Sequence, residues 1–380
     1  MPRRLVCPWA RSLLLLLFLL PLLVAAPTAV RSQANGTPGL SCEPASPRSP
    51  ASPVVRPSSS PAALAGAPAD RVEMRVGFIP ISIYAPVFVA QEKGYFASQG
   101  LDVTLEPLAG GNDLVVLTAN GELQAAATGA GPGLWNAVAR GLPISVVAPG
   151  HREGSPVATP LMISREACES GAIRSVADLR GKRVAVNARG ATEYWLAQAL
   201  ATGGLSLNDI QLQTLAFQDA VAALAAGALD ASMVGEPLAT RAEQQGIAVR
   251  LAIDFPVQDV LPTAIVVNSD FAEDNPAAVQ GFVTAYMQAS RDLSDGGFAD
   301  PGNLAIVERY TNVRADLVAA AVPPIYFPNG EIDAAALGAL QSFFRERDQL
   351  QYDEDIDPNT FVDRRFVEAA LAALGPYPAP

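Results

Sequence analysis

The sequence predicts an α/β protein of two similar lobes, each built on a mostly parallel sheet flanked by helices. Short apolar or alternating runs typical of strands alternate with helical runs of about ten residues, which is the pattern of βαβ units. The same order of elements occurs twice, over residues 72–157 and again over 158–268. A chain of 380 residues, half of them hydrophobic, is long enough for more than one domain.

The first series opens with an alternating strand at 72–80. A helix follows in YAPVFVAQEKGYF, with an apolar face and a stop at Gly94, and then a strand at 101–108. The next helix has Asn112 or Asp113 as its N-cap. Four elements complete the series, namely the helix NDLVVLTANG, the strand LQAAATGA, the helix GLWNAVARG and the strand LPISVVAPG.

The second series opens with a strand at 159–164. Its later elements alternate in the same way: a capped helical turn and strand in SVADLRGKRVAVN, the helix ATEYWLAQALATGG, the strand IQLQTLA, the helix DAVAALAAGALD, the strand ASMVGEP, the helix LATRAEQQG and the strand VRLAID. Residues 269–380 are mainly amphipathic helices, which we expect to pack back onto the first lobe.

The N-terminal region is typical of an exported protein. Arginines precede an apolar run that is shorter than a bilayer-spanning helix, so residues 1–34 are predicted as a signal peptide. Residues 35–71 are rich in Pro, Ser and Ala without periodicity, which predicts a disordered tether. Cys42, in GLSC, resembles a lipidation site that would fix the tether to a membrane. The alternatives are an unpaired thiol and a disulfide to the folded body.

Charge and motifs exclude several classes of protein. The net charge is −12 with no basic cluster, so nucleic acid is not an expected partner. His151 is the single histidine, and a histidine in a loop is usually exposed. No zinc-protease, nucleophile-elbow, phosphate-loop or dinucleotide-binding motif occurs. We therefore expect no metal, no cofactor and no enzyme activity.

Three glycine-rich loops predict a ligand-binding cleft. They lie at 107–113, 128–133 and 187–194, each between a strand end and a helix. Helix N-termini suit the oxygens of a small ligand, and ligands of open α/β sheets bind at the carboxyl ends of strands. The predicted ligand contacts are Ser82, Tyr84, Asn112, Thr128, Gly129, Arg152, Arg189, Thr192, Tyr194 and Glu236.

Some of these assignments have alternatives. Tyr194 is preferred to its neighbour Trp195, which is predicted to pack in the core. Arg152 or Arg189 would favour a sulfonate or carboxylate ligand. Glu236 would favour a nitrogen heterocycle, or would serve as an acid at a helix N-terminus.

An ordered run of motifs resembles a known family. The stretch from VGFIP to YAPVFVAQEKGYFASQGLDVTLEPLAGG, followed by GELQAAATGAGPGLWNAVARGLPISVVAPG, SVADLRGKRVAVN and ASMVGEPLATRAEQQG, is similar to the SsuA/THI5-like (NMT1-like) substrate-binding proteins of ABC transporters. One departure is Gln124, where relatives usually carry Asp. The resemblance covers residues 72–295 well.

The resemblance implies the type 2 periplasmic binding protein fold, with a hinge between two lobes that close on a small ligand. Relatives bind sulfonates such as taurine, nitrate or bicarbonate, thiamine pyrimidine precursors, riboflavin or aromatic acids. The implied partners are that ligand and the permease subunits of an ABC importer, with the protein exported and monomeric. A ligand-sensing accessory protein is the alternative. An enzyme resembling a pyrimidine synthase is disfavoured, because its cysteine-rich motif is absent.

Overall fold

The computed structural model describes Cys42 and residues 71–378. The predicted signal peptide at 1–34 lies outside these residues, as does the predicted tether apart from Cys42 and Arg71. Within the described residues, no helix has the length and apolar character needed to cross a bilayer.

The described residues form twelve strands. In chain order they are β1 Val72–Phe78, β2 Leu101–Pro107, β3 Ala125–Gly129, β4 Ile144–Pro149, β5 His151–Arg152, β6 Leu161–Ser164, β7 Arg183–Val186, β8 Gln211–Thr214, β9 Ala231–Met233, β10 Ala248–Ala252, β11 Thr263–Asn268 and β12 Ile325–Tyr326.

They also form fifteen α-helices and five short 3-10 helices. The α-helices are α1 Ala85–Glu92, α2 Tyr95–Ser98, α3 Gly111–Ala119, α4 Pro132–Ala139, α5 Arg165–Glu169, α6 Ala191–Ala201, α7 Phe217–Ala225, α8 Leu238–Gln244, α9 Ser269–Asp274, α10 Pro276–Leu293, α11 Pro301–Thr311, α12 Ala315–Ala320, α13 Ala334–Gly338, α14 Gln341–Glu346 and α15 Arg365–Leu374. The 3-10 helices are Ser82–Tyr84, Val176–Leu179, Leu207–Asp209, Gly297–Ala299 and Pro358–Thr360.

The first lobe is built on a five-stranded sheet in the order β2-β1-β3-β11-β4. Strands β1, β2 and β3 pair in parallel, and β11 is antiparallel to both its neighbours. Strands β3 and β11 are apolar along almost their whole length and almost entirely buried, because helices cover both faces of the sheet.

The second lobe repeats this arrangement. Its sheet has the order β10-β6-β9-β7-β8, with β7 parallel to β8 and β9, and β6 antiparallel to its neighbours. Read from the opposite edge, it matches the first sheet strand for strand. The predicted fold class, two α/β lobes of mostly parallel sheets, is confirmed.

Two segments join the lobes, and they correct one predicted boundary. Residues 153–160 lead from the first sheet into β6, and residues 253–262 lead from β10 back to β11. The sequence prediction placed 263–268 in the second lobe, but this strand pairs with β3 and β4 of the first sheet. An apolar strand can pair in either sheet, so its own sequence does not indicate which one it joins.

The C-terminal helices pack mainly on the first lobe. Helix α10 contacts α1, α2 and α15, and Phe282 of α10 stacks on Phe96 with ring centroids 5.1 Å apart. Strand β12 pairs with β5 in a small third sheet. Helix α12 also contacts α8 of the second lobe.

A disulfide links Cys42 to Cys168 of α5, so Cys42 lies against the second lobe. The backbone oxygen of Cys42 also accepts a 2.6 Å hydrogen bond from Arg165. This pairing corrects the proposed lipidation of Cys42, because a sulfur in a disulfide cannot also carry a thioether-linked lipid.

Candidate functional site

A cavity lies between the two lobes, at the carboxyl ends of strands from both sheets. Its volume is about 70 Å³, well below the roughly 300–1,000 Å³ typical of sites for drug-sized ligands. The first lobe lines it with residues that follow β1 and β3 and with the N-terminus of α3. The second lobe lines it with residues 187–192, Trp195 and Phe217, and the joining segments add Thr159 and Pro262, next to Thr263.

Three helix N-termini converge on this cavity. Gly111 and Asn112 of α3, Gly131 before α4, and residues 190–192 at the start of α6 all line it. No side chain caps any of the three helices. The first N–H groups of a helix have no partner within the helix and carry partial positive charge. Such groups suit a ligand that carries acceptor oxygens.

The lobes also meet at two glycines. A Cβ atom added at Gly131 would lie 3.7 Å from the Arg189 carbonyl oxygen and 3.7 Å from Cα of Gly190, which is ordinary van der Waals contact. Gly190 has φ +141°, a conformation that other residues rarely adopt. A Cβ there would lie 3.2 Å from Cδ of Pro132. Glycine at position 190 therefore allows the N-termini of α4 and α6 to meet.

Five of the predicted contacts lie at or beside the cavity on the side of the first lobe. Tyr84, Asn112 and Gly129 line it. Ser82 is buried between two isoleucines that line it, and Thr128 is buried with its hydroxyl bonded to the Gly111 carbonyl at 3.1 Å. Burial, together with the neighbouring Tyr286, raises the pKa of Tyr84 well above its usual range, so its phenol stays neutral.

Two more predicted contacts come from the second lobe. Arg189 and Thr192 line the cavity. The Thr192 hydroxyl donates to Oδ1 of Asn187 at 2.6 Å, which orders the loop before α6. Arg189 donates from Nε to the buried Glu193 at 2.6 Å and is half-exposed, so its guanidinium lies at the rim of the cavity.

The structure places two predicted charged contacts elsewhere. Arg152 is exposed in β5 and lines a surface groove beside β12. Glu236 is buried outside the cavity, where its carboxylate accepts from Arg250 at 2.7 Å and from the backbone N–H groups of Thr240 and Val322. With these bonds made, Glu236 joins elements of both lobes and is a structural residue.

Of two adjacent aromatic residues, the predicted ligand contact is not the one that lines the cavity. Tyr194 packs edge-on against Phe343, with ring centroids 5.2 Å apart, and is absent from the cavity lining. Trp195 is buried in the core of the second lobe, as predicted, and also lines the cavity. Neighbouring helical residues point about 100° apart, and the way α6 lies on its sheet decides which of them faces the cleft. The sequence alone does not fix that rotation.

His151 is also placed differently from the expectation of an exposed loop residue. It is fully buried, with Nδ1 2.7 Å from the hydroxyl of Thr263. Its Nε2 lies 3.7 Å from Oε1 of Glu153, which is buried as well. Elsewhere among the described residues, no three His, Cys, Asp or Glu side chains are grouped so as to hold a metal ion.

Together, the two lobes, the joining segments and the cavity between them make up the type 2 periplasmic binding protein fold. The model of the NMT1-like family matches residues 67–307. The chain therefore belongs to the NMT1-like family.

Curated relatives include a binding protein and a transport ATP-binding protein. The chain is 28% identical over 253 residues to the riboflavin-binding protein RibY of Chloroflexus aurantiacus, in an alignment covering 64% of this chain and 68% of RibY. It is 27% identical over 238 residues to the bicarbonate transport ATP-binding protein CmpC of Synechococcus elongatus. That alignment covers 60% of this chain and only 36% of CmpC.

Solved structures share the fold. The alkanesulfonate-binding protein SsuA of Xanthomonas axonopodis is matched with a TM-score of 0.65 and 21% identity, over 78% of this chain and 100% of that one. The nitrate-binding protein NrtA of Synechocystis is matched with a TM-score of 0.67 and 16% identity, over 80% and 90%. The desulfurization enzyme DSZB has the same fold, with a TM-score of 0.58 and 19% identity over 80% and 100%.

Proposed function

We propose that this chain is the extracytoplasmic solute-binding component of an ABC importer, and that it captures a small ligand bearing acceptor oxygens between its lobes. The observation that carries the proposal is the convergence of three uncapped helix N-termini, from both lobes, on one cavity. A ligand there bonds to both lobes at once, so it stabilises the closed arrangement that a permease would recognise.

The polar lining favours an oxyanion. Arg189 is the only charged residue among the described residues that line the cavity. Glu236 is bonded to Arg250 outside the cavity, so it is not placed to pair with a nitrogen heterocycle there. Ile79, Ile81 and Phe217 form an apolar wall, which suits a short carbon chain beside the oxyanion. A small organic sulfonate or carboxylate combines these features.

The size of the cavity favours some of the ligands named for the relatives over others. A space of about 70 Å³ is nearer in size to a small sulfonate or an inorganic oxyanion than to a flavin. A flavin would require the lobes to stand further apart. We therefore propose a small anion, rather than a flavin, as the ligand.

We further propose that the chain is not an enzyme, although DSZB shares its fold. Within the part of the chain that the structure describes, the cavity lining contains no cysteine. Cysteine is the side chain that acts most readily as a nucleophile near neutral pH.

Export to an oxidising compartment is supported by the disulfide between Cys42 and Cys168. The two cysteines are 126 residues apart, and the bond connects the end of the N-terminal region to the second lobe. A reducing cytoplasm would not maintain such a bond.

Thermal unfolding with a panel of ligands tests the proposal. The panel contains short alkanesulfonates, short carboxylates, nitrate, bicarbonate and riboflavin. A ligand at a concentration of about 100 Kd adds about 2.7 kcal/mol to the free energy of unfolding, which raises the Tm by several degrees. We expect stabilisation by sulfonates or carboxylates. Stabilisation by riboflavin alone would contradict the proposed ligand class, and no stabilisation by any member would contradict the binding function.

A further inference from the structure

Several polar side-chain atoms beside the cavity lack hydrogen-bond partners among the described residues. Besides Oγ of Ser82, they are Nε2 of His151, Oε1 of Glu153 and Nε1 of Trp195, and each is fully buried at the atom. Buried polar atoms without partners are rare in folded proteins, because each loses its bonds to water and gains nothing in return. Three of them close together indicate a place that receives a polar group.

These atoms form one group. Nε2 of His151 lies 3.7 Å from Oε1 of Glu153, and the rings of His151 and Trp195 have centroids 6.4 Å apart. Trp195 lines the cavity directly, and Thr263, which also lines it, holds His151 through its hydroxyl. His151 and Glu153 therefore lie directly behind residues that line the cavity, at the point where the segment 153–160 leaves the first lobe.

The hydroxyl of Thr263 holds the ring of His151 in place. Its oxygen accepts the backbone N–H of His151 at 2.9 Å and lies 2.7 Å from Nδ1. In the tautomer in which Thr263 donates to Nδ1, Nε2 carries the ring hydrogen and is a donor; in the other tautomer, Nε2 is an acceptor.

The group therefore offers both kinds of hydrogen bond. Nε1–H of Trp195 is a donor, Oε1 of Glu153 is an acceptor, and Nε2 of His151 is either, according to its tautomer. The other oxygen of Glu153 is already used, since it accepts the N–H of Ala158 at 2.5 Å. A hydroxyl or an N–H-bearing amide donates to Glu153 and accepts from a neighbouring N–H, whereas a methyl group does neither.

We propose that His151, Glu153 and Trp195 form a second ligand subsite, which binds a hydroxyl or N–H-bearing group on the ligand when the lobes close. This inference rests on the proposed function and narrows the class of ligand that the protein binds. The helix N-termini bind the acceptor oxygens at one end of the ligand, and this subsite binds a donor at the other end. It predicts that simple oxyanions without a donor bind weakly.

Matched ligand pairs test the subsite by isothermal titration calorimetry. One pair is 2-hydroxyethanesulfonate and propane-1-sulfonate, and the other is 3-hydroxypropanoate and butanoate. Within each pair, the members are close in size and differ in having a hydroxyl or a methyl group at one end. Wild-type protein is expected to bind the hydroxyl member at least about tenfold more tightly, the effect of a hydrogen bond to a buried charge.

Glu153→Gln is the diagnostic variant. Its amide oxygen can still accept from Ala158, but its NH₂ group then faces the subsite and opposes a ligand donor. The preference for the hydroxyl member should disappear. Glu236→Gln is the matched control, because Glu236 is an equally buried carboxylate outside the cavity and its loss should leave the preference unchanged.

The outcomes separate the two proposals. Equal binding of both members by wild-type protein, or an unchanged preference in Glu153→Gln, would overturn the subsite and leave the proposed function standing. Binding of neither member of either pair would contradict the proposed oxyanion site, and the subsite with it. The wild-type comparison needs no variant, so it remains decisive even if Glu153→Gln does not fold.

Discussion

The buried carboxylate of Glu193, in the second lobe, accepts a 3.0 Å hydrogen bond from Nε of Arg347, in the C-terminal region that packs on the first lobe. Gln349 donates to the same carboxylate at 2.7 Å, and the Gln349 carbonyl accepts from Asn136 of α4 at 2.9 Å. Residues 341–351 thus form a strap that bonds to both lobes beside the cavity. Because Arg189 also bonds to Glu193, the strap is connected to the cavity rim.

The strap should slow ligand release. Arg347→Ala removes one charge-assisted bond across the lobes, worth about 1 kcal/mol after allowance for the partial exposure of Arg347. We expect roughly fivefold faster release, measured by stopped-flow Trp fluorescence with a ligand identified by the thermal panel. Arg345→Ala is the control, because Arg345 pairs with the exposed Asp355 within the C-terminal region. Equal release rates in the two variants would show that the strap does not hold the lobes.

The contact between Gly131 and Gly190 should be required for closure. In Gly131→Leu, the new side chain would occupy the place where the lobes meet, whereas in Gly131→Ala the added methyl makes ordinary contacts at 3.7 Å. We expect the leucine variant to fold but to lose at least about tenfold in affinity, with the alanine variant close to wild type. Small-angle scattering should show that saturating ligand compacts the wild type and Gly131→Ala but not Gly131→Leu. Compaction of all three would contradict this closure contact.

The disulfide should stabilise the folded protein. Reduction, or Cys42→Ser, should lower the free energy of unfolding by about 2–5 kcal/mol, measured by urea denaturation with and without reductant. Cys168→Ser is the matched variant and should unfold like Cys42→Ser, because both lack the same bond. Peptide mapping should find Cys42 joined to Cys168. A lipid mass on Cys42 would refute the pairing.

Glu236 should matter for stability and not for recognition. Glu236→Ala removes one of the two ion-pair partners of the buried Arg250, which keeps Glu243. It also leaves the N–H of Thr240 without its acceptor, and the expected cost is about 1–3 kcal/mol. Chemical denaturation checks the loss, and the exposed Arg365 gives a matched Arg365→Ala control with an expected effect below about 0.5 kcal/mol. If Glu236→Ala lowered the ligand affinity without lowering the stability, Glu236 would be a ligand-binding residue and the prediction would be wrong.

The sequence predicted the fold because the hydrophobic period is a local property. Strands such as β3 and helices such as α3 are recognisable from their own residues and from the glycines that separate them. The pairing of strands into a sheet depends on residues that are distant in the sequence. The apolar residues of β11 would suit the centre of either sheet, and its place between β3 and β4 depends on where the joining segment 253–262 leads.

The candidate site was predicted in part, for a related reason. The glycine-rich loops could be found because a helix N-terminus is readable from sequence, and all three contribute to the cavity. The preference for Tyr194 over Trp195 as a ligand contact was wrong, because it depends on how α6 is rotated on its sheet. His151 lies in the two-residue strand β5 and Glu153 directly after it, where no periodic pattern indicates which side chains are buried.

The central claim is that the cavity between the lobes holds a small ligand, and it is tested most directly by releasing that ligand. Wild-type protein and Gly131→Leu would be purified natively and denatured, and the released molecules identified by mass spectrometry. We predict about one equivalent of a small oxygen-bearing molecule per chain from the wild type and little from the variant. The same molecule in equal amounts from both would contradict the claim, because the ligand would then bind outside the cavity.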